Sequence, residues 1–124
     1  MERTILIVDD SKLIQMKHAA MVESLGYSTL AADNGMQGIE TLTREKVDLI
    51  IADLNMPVMD GYDFVREVRN LPEFAGTPII VASTEAGEED IRRAYLAGAD
   101  LYLVKPVDAE TIKARIELLL EKKP

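Results

Sequence analysis

Apolar residues gather along the chain in five short runs: Ile5-Leu6-Ile7-Val8, Ser28-Thr29-Leu30-Ala31, Leu49-Ile50-Ile51-Ala52, Ile79-Ile80-Val81-Ala82 and Leu101-Tyr102-Leu103-Val104. Four of them are continuously apolar rather than alternating, the pattern of strands covered on both faces, as in a parallel sheet. The second run is more polar and belongs at a sheet edge. Between the runs lie five stretches of helical character. The first covers about residues 11–25, with Leu13, Met16, Ala20 and Leu25 near helical spacing and Gly26 as a stop. The second covers about 35–45. The third covers about 62–69 and ends before Leu71-Pro72, because the residue preceding proline avoids the helical region. The fourth covers about 88–97, stopped by Gly98, and the last about 109–122. A β-α unit repeated five times predicts a doubly wound α/β sheet with right-handed crossovers, in one domain over residues 1–124.

Ligands of such a sheet bind outside the carboxyl ends of its strands. Asp9 and Asp10 follow the first run, Asp53 the third, Ser83 and Thr84 the fourth, and Lys105-Pro106 the fifth. Three carboxylates, a hydroxyl and an ammonium are therefore expected at one edge. Two like charges ~4 Å apart repel by roughly 4 kcal/mol at an effective dielectric of ~20, so either a proton or a cation must join them. An oxygen-only donor set suits a hard cation, Mg²⁺ first and Mn²⁺ next. A carboxylate is also a nucleophile toward phosphorus, giving an aspartyl-phosphate. That chemistry is mostly positioning and charge neutralisation. Lys105 and Ser83 would supply the charge and the hydrogen bond opposite the cation.

Composition narrows the alternatives. The chain has 124 residues and no cysteine, which excludes disulfides, thiolate zinc sites and a cysteine nucleophile. Its formal net charge of −8 argues against direct binding of nucleic acid by the whole domain. The longest apolar runs are about five residues, too short to span a bilayer, and the N-terminus shows no secretory pattern. A cytoplasmic protein with no membrane or nucleic-acid partner is the expectation.

Val8-Asp9-Asp10-Ser11, then Asp53-Leu54-Asn55-Met56-Pro57-Val58-Met59-Asp60-Gly61, then Ser83, then Lys105-Pro106 resembles the response-regulator receiver family across the whole chain. The resemblance implies a flavodoxin-like fold with strand order 2-1-3-4-5. It implies Asp53 as phosphoryl acceptor, with Mg²⁺ held by Asp10, by Asp9 partly through water, by Asp53 and by the backbone carbonyl of Asn55. Ser83 would be the switch hydroxyl and Tyr102 the aromatic that rotates with it. Lys105 would contact the phosphoryl group across a cis Lys105-Pro106 bond, and Gly61 suits a tight turn. The donor would be a histidine kinase or a histidine phosphotransfer protein. The output would be a shape change felt by a downstream protein, through a surface on the fourth helix, fifth strand and fifth helix. Catalysis would extend only to the protein's own phosphorylation and dephosphorylation.

Plainer readings stand beside these. Asp9, Asp10 and Ser11 also suit the start of a helix, and Thr84 is adjacent enough to be confused with Ser83. His18, the only histidine, is expected at the surface or boundary of the first helix. A Mg²⁺-dependent phosphohydrolase would want an acid where Asn55 stands and a capping insertion. A nucleotide- or flavin-binding module would want a Gly- or hydroxyl-rich loop where Asp9-Asp10-Ser11 stands.

Overall fold

A computed structural model describes residues 2–121. Its elements run β1 (Thr4–Val8), α1 (Lys12–Glu23), β2 (Ser28–Ala32), α2 (Gly35–Arg44), β3 (Leu49–Ala52), α3 (Gly61–Asn70), a 3₁₀ turn (Pro72–Phe74), β4 (Ile79–Ser83), α4 (Glu88–Ala97), β5 (Leu101–Val104) and α5 (Ala109–Leu120). All four strand pairings are parallel, in the order β2-β1-β3-β4-β5. This is the doubly wound, flavodoxin-like arrangement that the pattern and the resemblance predict. Lys122, the expected end of the last helix, lies outside the described residues.

The two faces of the sheet carry separate cores. On one, Phe64, Val65 and Val68 of α3, Leu42 of α2 and Ala94 of α4 pack on Leu6, Val8, Ile50 and Val81. On the other, Val22 of α1 and Ile112, Ile116 and Leu120 of α5 pack on Ile5, Leu49, Ile51 and Ile80. The central strands β1, β3 and β4 are buried almost throughout, as their unbroken apolar runs require. The edge strand β5 is the exception: its run is equally apolar, yet Val104 is exposed.

Helix starts follow local chemistry. Ser11, Asn34, Asp60 and Asp108 each cap α1, α2, α3 and α5 by accepting a backbone N–H from three residues on. Glu88, Glu89 and Asp90 occupy the first turn of α4, where the helix dipole favours acids. Gly98 ends α4 at φ 124°, a conformation that L side chains rarely adopt.

The inner face of α1 departs from the sequence expectation. Leu13 and Met16 are 67% and 69% exposed, and Ala20 is exposed too. Gln15, His18 and Val22 face inward instead. These three also sit at i, i+3, i+7, so helical spacing alone admitted either face. His18 is 4% exposed, a core residue and not a surface one.

Candidate functional site

The parallel ladder continues one residue past the strand ends and carries the predicted side chains with it. Asp9 N–H bonds Ala32 O at 3.0 Å, Asp53 N–H bonds Val8 O at 2.9 Å and Lys105 N–H bonds Ser83 O at 2.8 Å. Asp9 and Asp53 are thereby fixed side by side on β1 and β3, and Ser83 and Lys105 on β4 and β5.

Asp9, Asp10 and Asp53 each offer a carboxylate oxygen, and the three oxygens lie within 4.8 Å of one another. Lys105 reaches in from the opposite side: its Nζ is 2.7 Å from Asp9 Oδ2 and 3.5 Å from Asp53 Oδ2. One ammonium thus serves two buried carboxylates, while Asp10 stands exposed at the rim. The donor set is all oxygen and compact, and one cation leaves it short of positive charge. It fits a hard divalent ion such as Mg²⁺, with Asp9, Asp10 and Asp53 as its carboxylate ligands. The Asp9 carboxylate also accepts Ser11 N–H at 3.0 Å, and Ser11 Oγ caps α1. Capping and cation binding therefore share this turn.

Asp53 is 8% exposed. Burial pushes its carboxyl above the ordinary range; Lys105 pulls it down and Asp9 pushes it up further. Its Oδ1 accepts the Leu54 N–H at 2.7 Å, which aims the carboxylate. Asn55, exposed two residues on, sends its side-chain amide to Glu85 Oε2 at 3.2 Å. The loop that follows is tight. Val58 has φ 72°, and Met59 N–H bonds Pro57 O at 2.7 Å, which closes a strained three-residue turn. Gly61 is needed for space, not for a positive φ: a Cβ there would overlap the Asp53 carbonyl oxygen and the Leu54 Cα. The tight passage expected at Gly61 thus calls for glycine through steric room rather than backbone conformation.

Ser83 is fully buried and its Oγ accepts Glu85 N–H at 3.1 Å, whereas Thr84 is exposed. Ser83 is the hydroxyl at the site. Half-buried Tyr102 donates its phenol to Glu85 O at 2.7 Å. Burial raises its pKa, and the Ser83 hydroxyl opposes that rise; both side chains meet Glu85, Tyr102 at its carbonyl and Ser83 at its N–H. The Lys105-Pro106 bond is cis.

Of two buried polar groups near the site, Gln15 escaped the sequence reading and His18 was expected at the surface or boundary of the helix. The Gln15 side-chain amide donates to Asp9 O, Ala32 O and Asp33 Oδ1. His18 has its pKa lowered by burial first and by Lys105 next, with Asp9 opposing. The i, i+3, i+7 spacing of Gln15, His18 and Val22 was the only signal available.

The sequence profile described as "Response regulator receiver domain" matches residues 5–117. Protein PilH of Pseudomonas aeruginosa is 37% identical over 116 residues, covering 94% of this chain and 96% of PilH. A gliding motility regulatory protein of Myxococcus xanthus is 39% identical over 101 residues, 82% of this chain, and the match spans 13% of that longer protein. Among solved structures, the receiver domain of the sensor histidine kinase PA1611 from Pseudomonas aeruginosa, with a magnesium ion coordinated in its active-site cleft, superposes with a TM-score of 0.91 at 30% identity, covering 98% of this chain and 99% of that one. Matched by that profile over residues 5–117, with its strand-end acids, lysine and buried serine gathered at one edge, this chain belongs to the response regulator receiver domain family.

Proposed function

We propose that the protein is a phosphorylation-dependent signalling switch that accepts a phosphoryl group on Asp53. The observation that carries this reading is the triple carboxylate cluster with one lysine bridging Asp9 and Asp53. Receivers take their phosphoryl group from a phosphohistidine on a histidine kinase, and a histidine kinase or histidine phosphotransfer protein is the proposed donor. An Asp53 carboxylate oxygen forms the new O–P bond. The P–N bond to the donor breaks, and the imidazole leaves with the electron pair. Asp9, Asp10, Asp53 and the Asn55 carbonyl would hold Mg²⁺, which would supply positive charge opposite Lys105; Mn²⁺ has the same oxygen preference. Lys105 is held 3.5 Å from Asp53 by its ion pair with Asp9, ready to contact a phosphoryl oxygen. Ser83 turns its hydroxyl toward that oxygen and gives up the Glu85 N–H. Tyr102 then leaves the Glu85 carbonyl. Water later hydrolyses the acyl phosphate, so the chain acts on itself and on no external substrate.

The output is a population shift over the α4–β5–α5 face, where Tyr95, Leu96 and Val104 are 44%, 71% and 45% exposed. No described helix is long and apolar enough to cross a membrane, and we assign the protein to the cytoplasm. Incubation with Mg²⁺ and acetyl phosphate should add one phosphoryl mass to the wild type and none to Asp53→Ala. Unmodified wild-type protein, together with an amide spectrum unmoved by beryllofluoride, would overturn the proposal.

A further inference from the structure

The Asp10 carboxylate is exposed, so little packing restrains it, and the backbone that carries it decides which positions its rotamers can reach. The peptide that precedes Asp10 presents its carbonyl, that of Asp9, to the Gln15 side chain. Gln15 is 5% exposed, and its Nε2 donates to Asp9 O at 2.5 Å, to Ala32 O at 3.2 Å and to Asp33 Oδ1 at 2.8 Å. Ala32 O also accepts the Asp9 N–H. One buried amide therefore ties the Asp9-Asp10 peptide to the end of β2 and to the loop that leads into α2. Asp33 is held in turn by Lys12 Nζ at 2.8 Å, and Lys12 first, then Gln15, keep its carboxyl below the ordinary range.

We propose that Gln15 is a positioning residue for the cation site: by fixing the plane of the Asp9-Asp10 peptide, it aims the Asp10 carboxylate at the oxygens of Asp9 and Asp53. Without the amide, the Asp9 carbonyl loses its side-chain donor and the peptide gains freedom to rotate. The three oxygens then converge in only a fraction of molecules, and the affinity for a divalent cation falls by that fraction. Groups that orient metal ligands typically contribute 10–100-fold to affinity. The inference rests on the cation-binding part of the proposed function.

Calorimetric titration of the unphosphorylated protein with Mg²⁺ tests it, run well below the melting temperature of each variant. Gln15→Leu should weaken binding about tenfold. Gln15→Arg, which restores donors to the same carbonyls, should recover most of it. Lys12→Ala, which removes only the exposed partner of Asp33, should stay within about twofold of wild type. Wild-type affinity in Gln15→Leu would overturn the proposal, as would an equal loss in Lys12→Ala, which would assign the effect to Asp33. If Gln15→Leu does not fold, the wild type still decides. Its Gln15 side-chain amide resonances should shift on Mg²⁺ titration and saturate with the Asp10 amide; resonances that do not move would overturn the assignment. A wild type that binds no Mg²⁺ would instead sink the functional reading itself.

Discussion

A single lysine between two buried carboxylates leaves residual negative charge at the site, and His18 lies within reach of the same charges. At the residue scale this makes His18 a pH-sensitive element of stability. Its folded pKa is below the ordinary 6.5, so the unfolded chain binds the proton more readily. Stability therefore falls as pH drops through about 6.5 and keeps falling until the lowered folded pKa is passed. His18→Leu should flatten that part of the curve. Urea midpoints at pH 7.5 and pH 5 should lie closer together in the variant than in the wild type, and an unchanged gap would refute the assignment. Site residues such as Asp53, Ser83 and Lys105 were legible because each follows an apolar run, and the ladder turns that sequence position into a place at the edge. Gln15 and His18 were not legible. Polar side chains on an inner helix face are recognised only through partners contributed by other elements, here Asp9, Ala32 and Lys105.

At the scale of elements, the loop from β3 to α3 has the least room to adjust. Gly61 N–H bonds Leu54 O at 2.8 Å, and the backbone of Asp53 and Leu54 occupies the space where a side chain would go. Gly61→Ala must push the start of α3 away from Asp53. The expected cost is about 1–3 kcal/mol in chemical denaturation, typical of overpacking a rigid contact. Phosphorylation by acetyl phosphate should slow by more than the lost stability accounts for, and a variant with unaltered denaturation and rate would show that the loop yields. The α4 helix is held differently. Ala94 is its one buried residue, and Arg93 lies over the Tyr62 ring at 3.9 Å, a contact contributing roughly 0.5–1 kcal/mol. An element so lightly anchored suits a moving output face. The strand runs gave the sheet within a residue or so of its observed bounds, because buried parallel strands need unbroken apolar sequence. The face of α1 was misjudged because Leu13 and Met16 are apolar yet exposed.

For the whole molecule, the formal net charge of −8 and the acid cluster pull in one direction: a divalent cation should stabilise the fold. Burial disfavours the ionised form of Asp53, and the penalty develops as pH rises from 3.8 to its higher folded pKa and then stays constant. At pH 7 without metal, Asp53→Asn should therefore melt at a higher temperature than the wild type. Adding Mg²⁺ at about 100 times its dissociation constant should stabilise the wild type by ~2.7 kcal/mol, and the variant by much less. Equal gains in the two proteins would place the cation elsewhere.

The Lys105–Asp9 pair closes a separation of 96 residues, joining the first strand to the last. During synthesis Asp9, Asp10 and Asp53 leave the ribosome long before Lys105, and β5 must dock on β4 before the ammonium reaches them. A chain that has not yet docked β5 therefore holds Asp53 without the ammonium that the folded site sets beside it. If Asp53 takes up phosphate as proposed and needs Lys105 to do so, phosphorylation would double as a check that the last strand has docked.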